Sequence, residues 1–367
     1  MSIHGQNLAL FSFYMTTKPT PHIYYPALDT LRAIAILLVI IGHWLPYQHI
    51  LNSFLTNGPL GVVLFFVLSG YLITGILLNE KTKLDAKQKT VGGIFKSFYI
   101  KRSLRIFPIY YLTLLYLLIM HIPDVTEYFW WHFFYGSNFL FYFSKSFFSE
   151  YVSPLWSLSV EEQFYLFWPF IILFSSRKQL LGWFVVCVIA GTALRMMPES
   201  LHEKPFSYFQ FLMPTCIDCF AVGGIIAYVQ RFHSEKLALF KKVCIGLAFA
   251  GLAYLLLVVQ MYGPNDFVTV VFNRTIFSCF AAAFILYVIT PQAEESLLHK
   301  NLENSLLVYI GKISYSMYLW HNLIPYFLEI ESEGKRFFVR LGVLIALSTL
   351  SYFALEKPLL SLKKYVK

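Results

Sequence analysis

The sequence predicts an all-α, polytopic integral membrane protein, and three observations carry that prediction. Hydrophobic residues make up 57% of the 367 residues and charged residues only 13%, against roughly 25% charged in soluble domains. The mean hydropathy is +0.61, and apolar stretches of about 20 residues, the length of a bilayer-crossing helix, recur along the whole chain. Lysine and arginine also crowd into alternate loops, as expected when basic residues are retained in the cytoplasm.

About ten spans are expected, near 29–47, 59–79, 104–121, 155–175, 179–197, 209–229, 243–262, 267–290, 306–328 and 337–356. Met1–Pro26 is polar and aromatic, with no basic stretch feeding a short apolar core and a small-residue cleavage site. Residues 1–26 therefore read as an N-terminal cytoplasmic segment, 27–360 as one membrane domain and 361–367 as a cytoplasmic tail. With the N-terminus inside, cytoplasmic segments hold about twenty Lys/Arg and external loops about six, which places both termini in the cytoplasm. The 80–105 segment, with Lys81, Lys83, Lys87, Lys89, Lys96, Lys101, Arg102 and Arg105, dominates that bias. The longest external loop, 122–154, is rich in aromatics (Tyr128, Phe129, Trp130, Trp131, Phe133, Phe134, Tyr135). It suits an interfacial belt, a lid over a cavity or a surface on which sugars stack.

The formal charge of +9 reflects positive-inside bias, and no nucleic-acid motif accompanies it, so no nucleic-acid partner is expected. The five cysteines (Cys187, Cys216, Cys219, Cys244, Cys279) all fall in apolar spans. Cys216 and Cys219 lack a second pair or a nearby histidine, so they read as small buried residues, and no metal is expected. No Walker loop or dinucleotide fingerprint is present.

Ionisable groups inside spans are costly and usually functional. Arg32 and His43 share the first span. Eleven residues of helix return them to within roughly 20° of one face and about 16 Å apart along the axis. Asp29 is a first-turn acid next to Arg32 on the helix surface. Arg32 alone suits snorkelling to the inner interface, and His43 alone a structural hydrogen bond. In the fourth span Ser157, Glu161, Tyr165 and Trp168 fall on one face, with Glu162 about 100° away. Glu161 lies in the same outer half as His43. A pair of the two would form a general base for a hydroxyl, and a plain interhelical ion pair is the structural alternative. Ser314, Tyr318 and His321 share a face of the ninth span. Ser69 and Gly70 in the second suit either close packing or binding. Asp218 is a carboxylate with no local cation. Arg102 and Arg105, three apart at the start of the third span, suit either anchoring or a bidentate grip on the phosphates of a cytosolic cofactor.

Six ordered motifs, from Asp29 to Pro358, resemble the acyltransferase family 3 of integral membrane proteins, the O-acetyltransferases of surface polysaccharides. They are Asp29-Thr-Leu-Arg32 with His43-Trp44, Gly61 to Thr74, Arg102-Ser-Leu-Arg105 to Tyr111, Trp156 to Tyr165, Tyr315 to His321, and Glu356-Lys-Pro358. The resemblance implies an essential catalytic His43 partnered by Arg32, Arg102 and Arg105 near acyl-CoA, and Glu161 as the more constrained glutamate. One departure stands at Asp218, where the family often has Arg-Phe-Asp and this chain has Cys216-Ile-Asp218. The hydrolase-like domain that some members carry is not expected after the last span.

The resulting expectation is a multi-pass inner- or plasma-membrane O-acyltransferase, moving acetyl from acetyl-CoA to a cell-envelope polysaccharide or lipid-linked glycan. His43 and Glu161 are the expected catalytic pair. Arg32, Arg102 and Arg105 would hold acyl-CoA, and Ser69, Glu162, Tyr318 and His321 would contact the acceptor or the oxyanion. Membrane lipids are the remaining partner. A transporter for the same glycans would use the polar band as a path, but it has no need of a phosphate clamp at the cytoplasmic mouth.

Overall fold

The computed structural model describes residues 24–46, 57–197, 208–262, 267–290, 297–330 and 333–366. Most of the expected N-terminal segment 1–26 lies outside the described residues. Those described are overwhelmingly helical and include no strand. In chain order the helices are α1 (Pro26–Trp44), α2 (Asn57–Asp85), α3 (Val91–Ile119), three short helices α4 (Pro123–Glu127), α5 (Phe129–Phe133) and α6 (Ser137–Ser144), then α7 (Leu155–Phe174), α8 (Arg177–Arg195) and α9 (Met213–Phe232). There follow α10 (Leu237–Tyr262), α11 (Phe267–Ile289), α12 (Leu297–Leu302), α13 (Ser305–Trp320), α14 (Ile324–Phe327), α15 (Glu333–Ser351) and, after a wide turn at Tyr352–Glu356, α16 (Lys357–Ser361).

Among the described residues, eight helical stretches are long and apolar enough to cross a bilayer. The fold is thus all-α and polytopic. Two of the ten expected spans are not among the eight. The helix α13 is only 16 residues long, and α7 carries Glu161, Glu162 and Gln163 in its first half. Both also carry candidate site residues, Glu161 and Glu162 on α7 and Tyr318 on α13. A second difference concerns α3, which starts at Val91 rather than near 104, with the Thr90 side chain accepting from the Gly93 N–H at its N-terminus. Arg102 and Arg105 therefore lie three to four turns inside a long helix instead of at its mouth.

Burial separates a central group from a periphery. The α2 stretch is 67% buried inside the protein and α9 61%, whereas the α8 stretch is 17% buried and the last one 11%. Glycines let the central helices touch backbone to backbone. A Cβ at Gly70 would overlap the carbonyl of Phe220, and one at Gly223 the carbonyl of Val67, so α2 and α9 cross through apposed glycines. Similarly, a Cβ at Gly311 would overlap the carbonyl of Asp29, which clasps α13 onto the first turn of α1.

Asp218 is not without a cation. Arg195, at the end of α8, grips it with two hydrogen bonds of 3.0 and 2.7 Å. Both side chains are almost fully buried, and Thr275 of α11 donates to the same carboxylate at 3.2 Å. The cation that pairs with Asp218 thus comes from a neighbouring helix. Local spacing could not reveal it.

Candidate active site

A cavity opens between α1, α2, α3, α7 and α13. Its polar lining comes from every one of those helices: Arg32 from α1, Ser69 from α2, Arg102 and Arg105 from α3, Ser157, Glu161 and Tyr165 from α7, and Tyr315 and Tyr318 from α13. Phe65, Phe66, Leu72 and Ile106 complete the walls.

The shared face of α7 accounts for much of this assembly. Glu161 accepts hydrogen bonds from the Ser69 and Tyr165 hydroxyls, and those two hydroxyls lie 3.1 Å apart. One turn earlier, Ser157 hydrogen-bonds with the Tyr318 hydroxyl at 2.5 Å. Further along, the Trp168 indole donates to Thr74 at 2.8 Å. All four residues of the face therefore direct their polar atoms at α2, at α13 or at each other. Gly70 packs on α9, and Ser69 faces the cavity.

The cations are not equivalent. Arg32 is ion-paired to Asp29 within its own helix, and Asp29 also accepts from the Tyr24 hydroxyl at 2.5 Å. Arg102 rests on aromatic faces, its guanidinium carbon 5.9 Å from the Phe98 centroid and 5.7 Å from that of Tyr165. Among the described residues, neither Arg102 nor Arg105 has a hydrogen bond or an ion pair, and both border the cavity. Two guanidinium forks without anions at one cavity are chemically suited to phosphate or carboxylate.

His43 lies apart from this lining. It is exposed near the end of α1, and the expected pair with Glu161 does not form. Its Nδ1 instead lies 2.8 Å from Nε2 of His321, with the rings stacked at a centroid distance of 4.9 Å. His321 is fully buried, and its Nδ1 is 2.6 Å from the Tyr318 carbonyl oxygen. The Trp44 indole donates to the His321 carbonyl at 3.1 Å. Tyr318 thus links the two regions, its hydroxyl side bordering the cavity and its carbonyl meeting His321. Both histidines lie at the C-terminal ends of their helices, and local spacing does not pair them.

Glu162 also stands outside the cavity lining, with its Oε1 buried and without a hydrogen-bond partner. The adjacent Gln163 exchanges two amide hydrogen bonds with Asn138 of α6, at 3.1 and 2.9 Å, and so ties the 122–154 segment to α7. That segment is built from α4–α6. Its Trp130 and Phe134 are 65% and 72% exposed and form, with Leu166 and Phe167, a separate apolar surface groove. Among the described residues, no group of three or more His, Cys, Asp or Glu is placed to hold a metal.

The family model of the acyltransferase domain known as acyltransferase 3 matches residues 25–355. The O-acetyltransferase OatA of Staphylococcus aureus strain NCTC 8325 is 28% identical over 370 residues, covering 92% of this chain and 57% of its own length. A Bacillus subtilis strain 168 protein, provisionally named a peptidoglycan O-acetyltransferase, is 31% identical over 378 residues, or 94% of this chain and 56% of its own length. The chain thus spans just over half the length of these curated relatives. No solved structure gives a significant match.

Proposed function

Since this chain belongs to the acyltransferase 3 family, we propose that it is a plasma-membrane O-acyltransferase moving an acetyl group from cytosolic acetyl-CoA to a cell-envelope glycan. The observation that carries this reading is the pair of guanidinium groups, Arg102 and Arg105, without anionic partners at a cavity that also holds Ser69, Glu161 and Tyr318. They fit the phosphates of CoA, with Arg32 alongside, and the apolar walls suit the extended arm that carries the thioester. The name of the Bacillus relative supports peptidoglycan as the acceptor.

In this mechanism the acceptor hydroxyl arrives from the outer side, where His43 is exposed, and His43 removes its proton. The alkoxide oxygen attacks the thioester carbonyl. The tetrahedral oxyanion takes a hydrogen bond from the Tyr318 hydroxyl. The carbon–sulfur bond then breaks, and the CoA thiolate leaves with the proton held by His43. Glu161 acts by orienting Ser69 and Tyr165. A glycan transporter would leave the Arg102–Arg105 pair without a task.

Membranes containing the protein, given radiolabelled acetyl-CoA, should transfer label to the glycan fraction, and His43→Ala should reduce transfer to background. Label transfer that survives the substitution removes His43 from the chemistry. An Arg102→Ala/Arg105→Ala double variant should bind CoA at least about tenfold more weakly, as expected for the loss of charge-assisted hydrogen bonds. Unchanged affinity would remove the clamp.

A further inference from the structure

We propose that His321 is a positioning residue that fixes the tautomer of His43, leaving Nε2 of His43 as the basic nitrogen. The inference rests on the reading of His43 as the base and says which of its atoms does the work. It follows from one asymmetry, because a backbone carbonyl accepts hydrogen bonds and never donates them. His321 Nδ1 lies 2.6 Å from the Tyr318 carbonyl oxygen, so that nitrogen carries a hydrogen. A second hydrogen on Nε2 would make His321 a fully buried cation, and among the described residues no acidic side chain contacts either ring. Such an unpaired charge is strongly unfavourable. Nε2 of His321 therefore presents a lone pair. His43 Nδ1, 2.8 Å away, must donate to it, and the proton of a neutral His43 is then on Nδ1.

The result is a relay of fixed direction, from His43 Nδ1–H to His321 Nε2 and from His321 Nδ1–H to the Tyr318 carbonyl. A second ring here plays the orienting part that a carboxylate plays beside many catalytic histidines. The Trp44 indole, donating to the His321 carbonyl at 3.1 Å, and the 27° ring stacking hold both rings in place. Both nitrogens of His321 are occupied in this arrangement, so it has no N–H left for an oxyanion. Its role moves from contacting substrate to aiming the base.

Two measurements on the full-length protein test this. In detergent micelles, nitrogen-15 spectra of histidine-labelled protein, with His43 assigned by the signals lost in His43→Asn, should show Nδ1 protonated and Nε2 unprotonated. Protonation at Nε2 in the wild type overturns the proposal whatever the variants do. In membranes given labelled acetyl-CoA, His321→Leu should lower transfer by at least about 100-fold. His321→Gln, whose side-chain oxygen can accept from His43 in place of Nε2, should recover it to within about tenfold of wild type. A His321→Leu protein as active as wild type, or a His321→Gln protein no better than His321→Leu while equally folded by circular dichroism, also overturns the proposal. Full transfer by His43→Ala, with the Nδ1–H tautomer intact in the wild type, would instead defeat the catalytic reading.

Discussion

At the scale of single residues, the polar groups that were legible are those whose neighbours lie on the same helix. The 4, 4, 3 spacing of Ser157, Glu161, Tyr165 and Trp168 places them on one face, and the structure turns that face inward. Asp29 and Arg32 pair as neighbours one turn apart. The partner of His43 was not legible, because it lies 278 residues away and nothing in the periodicity of α1 points to α13. His132 of α5 shows how burial alone sets a group's behaviour. Its ring is fully buried, Nδ1 lies 2.9 Å from the Ser137 hydroxyl, and Nε2 is buried without a partner. Burial holds its pKa down to about 4, against 6.5 for the free side chain. The unfolded chain therefore binds more protons than the folded one as pH falls below about 6.5, and stability is lost with acidification until both states are protonated. Between pH 7 and pH 5 the loss should be about 2 kcal/mol. It should appear as a falling melting temperature in detergent that is flattened in His132→Asn, and an equal fall in that variant would exclude His132 as its source.

At the scale of helices, periodicity and length located the elements, but their ends followed chemistry that hydropathy does not weigh. The start of α3 is set by a Thr90 cap well before the apolar run begins, so the RxxR segment lies inside the helix and not at its start. Helix α7 falls short of a bilayer-crossing stretch because Glu161, Glu162 and Gln163 occupy it, and α13 because it is only 16 residues long. How helices meet was hidden for a different reason, since glycine contacts depend on which partner arrives. Gly311→Val should separate α13 from the first turn of α1, costing about 3 kcal/mol or more from the overlap with Asp29. Thermal melts of the purified protein would register it, and a melt unchanged from wild type would show that the clasp yields freely. The Arg195–Asp218 pair supplies a sharper test. Asp218→Ala strands a buried guanidinium and should cost about 3–5 kcal/mol. Replacing both partners, as Arg195→Met/Asp218→Leu, should restore most of that. A double variant as unstable as the single one would mean that the pair contributes more than mutual neutralisation.

At the scale of the whole molecule, the helices range from well-buried ones such as α2 and α9 to poorly buried ones, among them α8 and the last, whose apolar surfaces face outward toward lipid. The cavity takes polar groups from five helices spread from Arg32 to Tyr318, so no fragment of the chain contains the site. The charge distribution predicts that both ends of the chain lie on the cytoplasmic side. A fluorescent protein fused after Lys367 should therefore fluoresce, and alkaline phosphatase at the same point should be inactive. The opposite pattern would invert the molecule and move the Arg102–Arg105 pair away from cytosolic CoA.

The clasp between α1 and α13 also has a consequence for how the protein is made. The first helix enters the bilayer with Arg32 and His43 already in it, while His321 has yet to be translated. At ordinary synthesis rates of about 5–20 residues per second, the 278 residues between the two histidines impose a wait of roughly 15–60 s. During that interval α1 is a polar helix with its closing partner absent, exposed to the cell's quality-control proteases.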